Sequence, residues 1–319
     1  GATGPVDAAK RRPWIDWIHT AQDQAALVRH FIKWDAQPAS IGPTQEAMLR
    51  ARQIATTAPQ GPVYICFDAA MQESKLQKVP VLPDPSRYLA PPPARPAEAI
   101  IKEAAALLSA ARRPVILAGR VSREEVGWQQ RIKLAETLNA EVLTDLKVGC
   151  AFPTDHILHA APSGHFLNAR AKEVLRDADV VLSLDWLDLA GTLKQAWEGE
   201  TVTSKIIQVS VDHYSHNGWS MDHQGLPPVD IFLLSEPEPA VELLNMHVRP
   251  RAPRSPDRAP APPTIVSQGA LTVPILASVL RSALGDQKTC LMRLPLSWSG
   301  DMWDFSHPLD FLGYDGGGG

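Results

Sequence analysis

The stretch AEAIIKEAAALLSAARRPVILAG, residues 97–119, decides the fold of this chain. Its first part has apolar residues at helical spacing, and its last part is a short apolar run that ends in glycine. The same order recurs in LNARAKEVLRDADVVLSLD, residues 167–185. Apolar strands that alternate with amphipathic helices are typical of a parallel sheet covered on both faces. The sequence therefore predicts an α/β fold with three layers and a doubly wound parallel sheet.

The segments around these two stretches continue the alternation. REEVGWQQRIKLAETLN (123–139) and AGTLKQAW (190–197) have helical patterns, whereas AEVLTD (140–145) and SKIIQVSVD (204–212) have the patterns of buried strands. Together they predict one Rossmann-like domain of about 150 residues, a size at which a single core is common.

Two proline-rich stretches, residues 78–99 and 248–264, separate this domain from its flanks. Proline fixes φ and removes a donor, so such stretches favour extended connectors, although a disordered interaction tail is an alternative. The predicted boundaries are a first part at 1–83, a linker at 84–97, a central domain at 98–247, a linker at 248–266 and a last part at 267–319.

The flanks also carry helix and strand patterns. In the first part, QAALVRHFIKW (24–34) and PTQEAMLRARQIATTAPQG (43–61) predict helices, and PVYICFD (62–68) predicts a buried strand. In the last part, LTVPILASVLRSALGD (271–286) predicts a helix and KTCLMRL (288–294) a strand. Because both ends fall inside such patterns and not in surface segments, we expect a fragment with two partial flanking domains.

The composition is that of an ordinary globular protein, with 45% hydrophobic and 21% charged residues. A net charge of −4 gives no support for nucleic acid or an anionic membrane as a partner. The sequence contains neither a long apolar run nor a signal peptide pattern. Cys66, Cys150 and Cys290 are far apart and odd in number, which favours free core thiols and a cytoplasmic location.

Motifs for common chemistry are scarce. The turn AGRVSREEVG (118–127) lacks the G-x-G-x-x-G spacing of dinucleotide-binding turns. His156, His159 and His165 form the tightest histidine group, which fits either a zinc site or, more simply, a loop beside a cleft. A second histidine group follows a predicted strand end and comprises His213, His216 and His223.

The chain ends in YDGGGG, residues 314–319. Consecutive glycines allow the backbone to approach a ligand closely, and a glycine-rich loop before a helix cradles phosphates. A flexible terminal run is the alternative.

The order of the pieces resembles the thiamine-diphosphate (ThDP) enzymes of the acetolactate synthase and benzoylformate decarboxylase-like group. HTAQDQ (19–24), followed by a helix and APQGPVYICFDAAMQE (58–73), is similar to the end of their pyrimidine-binding domain. The middle segment is similar to their central domain. The residues from Leu271 onward are similar to the start of their diphosphate-binding domain, and HPLDFLGYDGGGG (307–319) is similar to the entry to the cofactor loop of that domain.

This resemblance implies ThDP and Mg²⁺ as cofactors, with the pyrimidine-binding glutamate and the metal-binding motif outside the present sequence. It implies that His19 and Gln22 face the active site and take catalytic or substrate-contacting roles. The residues that it implies for cofactor binding are Leu296, Ser297, Trp298, Gly316, Gly317, Gly318 and Gly319. No residue of the chain is assigned to a metal.

Two departures from the family pattern narrow the expectation. Ala21 stands where acetolactate synthases have phenylalanine, and residues 184–193 lack the arginine-containing segment associated with FAD and a second 2-oxo acid. The resemblance thus implies a 2-oxo acid substrate for decarboxylation, carboligation or acyl transfer, without FAD, in a homodimer or homotetramer. The fragment itself is expected to be inactive. A Rossmann-like nucleotide-binding module and a non-catalytic oligomerisation scaffold are the alternatives.

Overall fold

The computed structural model of the chain describes residues 21, 23–214, 225–252 and 270–314. The chain divides into two compact units, residues 1–93 with 211–220, and residues 94–210 with 221–319. Among the helices of the described ranges, none combines the length and apolar character that a membrane span requires.

The first unit contains a small parallel sheet. Strands β1 (Trp34–Ala36) and β2 (Val63–Ile65) pair in parallel, and helix α1 (Ile41–Thr56) connects them. Helix α2 (Ala69–Glu73) follows β2, and the Asp68 side chain caps it by accepting from two backbone N–H groups. The expected helix at 43–61 is confirmed, whereas the expected buried strand at 62–68 shortens to three half-buried residues.

The expected helix at 24–34 is wrong. The chain forms two short 3-10 helices there, Ala25–Leu27 and Arg29–Phe31, before it enters β1. The apolar side chains of Leu27 and Phe31, which suggested a buried helical face, are both largely exposed. Without a buried face, helical spacing alone does not stabilise a helix of this length.

The second unit is built on a five-stranded parallel sheet. Its strands are β3 (Pro114–Ala118), β4 (Glu141–Leu143), β5 (Val180–Leu184), β6 (Lys205–Ser210) and β7 (Ile231–Leu234). Its helices are α3 (Glu98–Ala110), α4 (Glu125–Leu138), α5 (Ala169–Asp177), α6 (Leu189–Trp197) and α7 (Pro237–His247). The strand order β4-β3-β5-β6-β7 places the reversal of direction, the topological switch point, between β3 and β5.

Helices cover both faces of this sheet. In β3, Ile116 packs in one core with α3, α4 and α7, while Val115 and Leu117 pack in a second core with α5 and α6. Successive strand residues point to opposite faces, so a strand buried on both sides is apolar throughout. The expectation of a covered parallel sheet is confirmed for this unit.

Strand β7 and helix α7 were not predicted. The helix begins in EPEP, where proline occupies the first helical position and its missing N–H is not needed. In the sequence, two prolines separated by one residue favour a loop. For this reason the helical pattern of the residues that follow them was not recognised.

The last part of the chain contains helix α8 (Val273–Leu284), as expected, but the expected strand at 288–294 is wrong. Within the described ranges only Leu291 pairs, through one isolated bridge to Phe311. The segment packs instead on loops of the central domain through a shared apolar cluster of Trp128, Leu146, Cys150, Ala277, Leu294, Trp298, Trp303, Phe305 and Phe311. Packing on existing structure replaces strand pairing here.

The structure describes the first proline-rich linker, a small part of the second, and all three cysteines. The first proline-rich stretch carries one short 3-10 helix, Pro85–Tyr88, and reaches α3 without further helix or strand. Most of the second stretch lies outside the described residues. All three thiols are free; Cys66 and Cys150 are buried as expected, but Cys290 is exposed.

Candidate functional site

The switch point between β3 and β5 is closed by the protein itself. Gly119 N donates to Leu184 O at 3.0 Å, and Arg120 N donates to Asp185 O at 2.9 Å. A Cβ atom on Gly119 would lie 2.4 Å from Asp185 O, so only glycine allows this approach. The Arg120 guanidinium and the Asp185 carboxylate are paired at 2.9 Å and are mostly buried. The crevice in which parallel sheets usually bind ligands is therefore occupied by a salt bridge.

The segment after β5, residues 184–193, serves mainly to start helix α6. Asp188 adopts φ 56° and its carboxylate accepts from Gly191 N at 3.0 Å. The buried Trp186 donates its indole N–H to Thr192 Oγ1 at 2.8 Å. These bonds satisfy the helix terminus, and the segment contributes no cationic side chain to a carboxylate or phosphate.

An open cleft lies beside this segment, at the carboxyl end of β4. The empty space between its walls, about 370 Å³, includes open solvent. The enclosed part has room for about one water molecule. Its walls combine apolar and polar side chains, among them Leu143, Asp145, Lys147, His165, Phe166, Asn168, Trp186 and Thr192. The cleft is therefore a shallow surface feature with a mixed polar and apolar lining.

Asp145 is the electrostatically unusual residue of the cleft. Its Oδ1 accepts from the backbone N–H groups of Lys147 at 3.0 Å and Val148 at 3.2 Å. Its Oδ2 is buried and has no hydrogen-bond partner. Burial raises the pKa of this carboxyl to about 6, although Lys147 and the two N–H groups oppose the shift. Asp145 can therefore change its protonation state close to neutral pH.

The first histidine group is dispersed over three different environments. The His159 ring lies 2.9 Å from Thr144 Oγ1, and the His156 ring lies 3.3 Å from a carboxylate oxygen of Glu136. His165 lines the cleft, and burial, together with Lys147, lowers its pKa. In the described ranges no group of three or more His, Cys, Asp or Glu side chains can hold a metal ion. The loop interpretation of these histidines agrees with the structure; of the second group, His216 and His223 lie outside the described residues.

The last segment of the chain is attached to the loops of the cleft. Gly300 N donates to Ser163 O at 2.8 Å, and a Cβ atom on Gly300 would lie 2.5 Å from Ser163 N. Tyr314 N donates to Lys147 O at 3.3 Å, and its ring meets His165 edge-on with centroids 5.2 Å apart. The chain thus reaches Tyr314, two residues before the glycine run, beside the cleft.

The residues expected to contact the cofactor are only partly described. Leu296 and Ser297 are exposed on a turn, whereas Trp298 is buried in the apolar cluster and its indole N–H has no partner. His19, Gln22 and Gly316 to Gly319 lie outside the described residues. These site assignments stay predictions.

In the first unit, Arg29 fixes the segment that follows Gln22. Its guanidinium forms ion pairs with two carboxylates, at 2.9 Å from Asp23 and at 3.0 Å from Asp35 of β1. Hydrogen bonds from Arg29 and from Ala26 N lower the pKa of Asp23. Arg29 thereby ties the end of the predicted loop to the small sheet, and its bidentate geometry would not be reproduced by lysine.

The described residues do not by themselves make a ThDP site. They contain no metal-binding cluster, and the predicted contacts among them are one buried tryptophan and two exposed residues. We therefore derive no step of a reaction through the cofactor.

Sequence reasoning missed Asp145, Arg29 and the ion pair between Arg131 and Glu238, which are 107 residues apart in the chain. The signal for Asp145 was its place at the end of a predicted strand, where ligands of parallel sheets collect. Nothing in the sequence marks the other residues.

Residues 101–223 match the family model described as "Thiamine pyrophosphate enzyme, central domain". A sulfoacetaldehyde acetyltransferase of Rhodobacter capsulatus is 34% identical over 167 residues, which cover 51% of this chain and 26% of that protein. A probable acetolactate synthase large subunit of Methanocaldococcus jannaschii is 29% identical over 143 residues, covering 44% of this chain and 24% of that protein. The matches thus span about a quarter of these curated relatives.

Among solved structures, benzoylformate decarboxylase from Polynucleobacter necessarius superimposes with a TM-score of 0.73 at 18% identity, covering 100% of this chain and 57% of that one. A 4-hydroxybenzoylformate decarboxylase of Rhodococcus jostii gives a TM-score of 0.62 at 19% identity, covering 98% and 57%. At this identity the likeness concerns the fold alone. The sequence matches show that residues 101–223 are similar to the central domain of the thiamine pyrophosphate enzymes and that the chain has acetolactate synthase-like relatives, as its sequence predicted.

Proposed function

We propose that this chain is part of a ThDP- and Mg²⁺-dependent enzyme that acts on a 2-oxo acid or a related carbonyl compound. The observation that carries the proposal is the central domain: strands β3 to β6 of its covered parallel sheet lie within residues 101–223, which match the central domain of the thiamine pyrophosphate enzymes. The carbanion chemistry in such enzymes belongs to the cofactor, while the protein binds and orients it.

Within this proposal the flanking parts belong to the two cofactor-binding domains. Residues 1–83 form the end of the pyrimidine domain, with His19 and Gln22 at the active site, and residues 267–319 form the start of the diphosphate domain. Support comes from Tyr314, which holds the chain beside the Asp145 cleft just before Gly316 to Gly319. The cofactor loop would then begin next to a shallow cleft lined by Asp145 and His165.

Acyl transfer is the reaction we favour over simple decarboxylation. One observation supports it: sulfoacetaldehyde acetyltransferases are among the curated relatives. The segment at 184–193 offers no arginine for a second carboxylate substrate, which argues against carboligation with a second 2-oxo acid. The salt bridge between Arg120 and Asp185 at the switch point argues against FAD in the crevice.

The direct test is isothermal titration calorimetry of ThDP with Mg²⁺, applied to this chain and to the full-length gene product. We expect binding by the full-length product and none by this chain, because the described residues lack a metal cluster. An absence of binding to both would contradict the ThDP assignment. Titration of the full-length protein with Mg²⁺ alone is the control.

A non-catalytic oligomerisation scaffold is the second candidate, favoured by one observation. Four large apolar side chains in and after helix α8 are exposed: Leu276 and Val279 of the helix, and Met292 and Leu296 of the segment that follows it in the chain. Such side chains mark protein contacts when they are contiguous. Sedimentation of the chain at several concentrations tests for self-association. The two candidates are distinguished by ThDP binding to the full-length product, which only the enzyme predicts. In the enzyme, too, a homodimer or homotetramer would cover this surface.

A further inference from the structure

The turn between β3 and helix α4 has the geometry of an anion-binding site. In parallel α/β sheets the N–H groups at the start of the helix after the first strand point outward and attract negative charge. Here Ser122 N, just before α4, donates to Glu238 Oε1 at 2.6 Å. Arg131 Nη1 approaches the same oxygen at 3.2 Å. A carboxylate from α7 thus binds an N–H group of the turn that leads into α4 and the guanidinium of Arg131.

The cationic side of this site is built independently of Glu238. The side chain of Arg131 is 3% exposed. Its Nε donates to Ala151 O at 2.9 Å and its Nη2 to Ser122 O at 3.1 Å. These two carbonyls fix the plane of the guanidinium and leave Nη1 directed at Glu238. A buried guanidinium held in this way requires an anion opposite it.

Gly127 of α4 leaves space for the Glu238 side chain, because it has no side chain of its own. A Cβ atom on Gly127 would lie 2.6 Å from Ser122 Oγ, 3.2 Å from Arg131 Nη1 and 3.4 Å from Glu238 Cγ. Ser122 Oγ itself is buried and has no hydrogen-bond partner. The site therefore holds an unused hydroxyl beside the two donors that Glu238 occupies.

We propose that Ser122, Gly127 and Arg131 form an anion site for a carboxylate or phosphate, and that the protein fills this site with its own Glu238. A nucleotide phosphate would have to displace a carboxylate that is tethered on α7 and present at high effective concentration. The central domain consequently takes no nucleotide through this turn, and Glu238 fastens α7 to α4.

The test is chemical rescue of Glu238→Ala in the full chain. Thermal unfolding is measured in sodium acetate and in sodium chloride of equal ionic strength. We expect the variant to lose about 6 °C or more in Tm, because it leaves the buried Arg131 unpaired. Acetate should restore part of this loss in the variant and have no effect on the wild type. ADP should leave the Tm of the wild type unchanged.

Glu242→Ala is the matched control on the same helix. Glu242 pairs with Arg95 at 2.6 Å, but both side chains are more than half exposed. We expect little change in Tm and no response to acetate, because exposed ion pairs contribute little.

Three results would overturn the proposal: no acetate response in Glu238→Ala, an equal response in the wild type, or stabilisation of the wild type by ADP. If Glu238→Ala does not fold, Glu238→Gln is measured instead, because its amide oxygen accepts the same N–H bond. The ADP titration of the wild type decides independently of either variant.

Discussion

Asp145→Asn should change how the stability of the protein depends on pH. Burial raises the pKa of Asp145 from 3.8 to about 6, so the folded state binds the proton more tightly than the unfolded state. A group with a raised folded-state pKa of this kind destabilises the fold at high pH and ceases to do so at low pH. The shift of about 2 units corresponds to a penalty of about 3 kcal/mol well above pH 6.

About half of this penalty is still present near pH 5, because the unfolded carboxyl is already ionised there. Urea unfolding followed by tryptophan fluorescence, at about pH 5 and about pH 8, should therefore show a specific difference. The gain in unfolding free energy of Asp145→Asn over wild type should be larger at about pH 8 by about 1.5 kcal/mol. Any packing effect of the amide, including its unpartnered N–H, is the same at both pH values and cancels.

Asp179→Asn is the control of opposite sign. Burial alone would raise the pKa of Asp179. The hydrogen bonds from the N–H groups of Arg112 and Arg113 lower the pKa by more than burial raises it, so the net shift is downward. Its carboxylate stabilises the fold fully above the unfolded pKa of 3.8, and this contribution is lost only as the pH falls below that value. Asp179→Asn should therefore lower the unfolding free energy by the same amount at about pH 5 and at about pH 8. A pH-independent difference between Asp145→Asn and wild type would refute the reasoning, as would a larger gain at the lower pH.

The remaining predictions concern the attachment of the last segment. Gly300→Ala should lower the unfolding free energy by about 1–3 kcal/mol, since its Cβ would overlap the Ser163 backbone. Gly42→Ala is the control: its Cβ would meet nothing within 4 Å, so the free energy should not fall. Equal urea midpoints for the two variants would contradict this prediction. Trp298→Ala should cost about 3–5 kcal/mol in urea unfolding. Trp298→Phe should cost much less, because it also removes a buried N–H without a partner; equal losses would show that the indole N–H is satisfied.

Local patterns were sufficient for four of the five strands of the central sheet, and only β7 was missed. The strands β3 and β5 are apolar at every position because helices cover both faces, and this property is visible in a few consecutive residues. The intervening helices are marked by spacing in the same local way. The family resemblance used the same information, namely the order of these segments.

Patterns failed where burial depends on distant residues. The segment at 288–294 has the composition of a strand, but in the described structure it pairs through a single bridge. The apolar residues at 24–34 suggested a helix face, yet Leu27 and Phe31 are largely exposed. Secondary structure at such places follows tertiary contacts, since local propensity differs by only about 1 kcal/mol per residue.

The sequence by itself determined the alternating α/β order, the proline-rich connectors and the relation to the thiamine pyrophosphate enzymes. Only the tertiary structure decided that Glu238 meets Arg131, that Arg120 and Asp185 close the switch point, and that Asp145 is buried with an unpartnered oxygen. The physical reason is that a pKa or an ion pair depends on desolvation and on groups brought together by the fold. Arg131 and Glu238 are 107 residues apart in the chain, and no sequence pattern predicts their 3.2 Å contact.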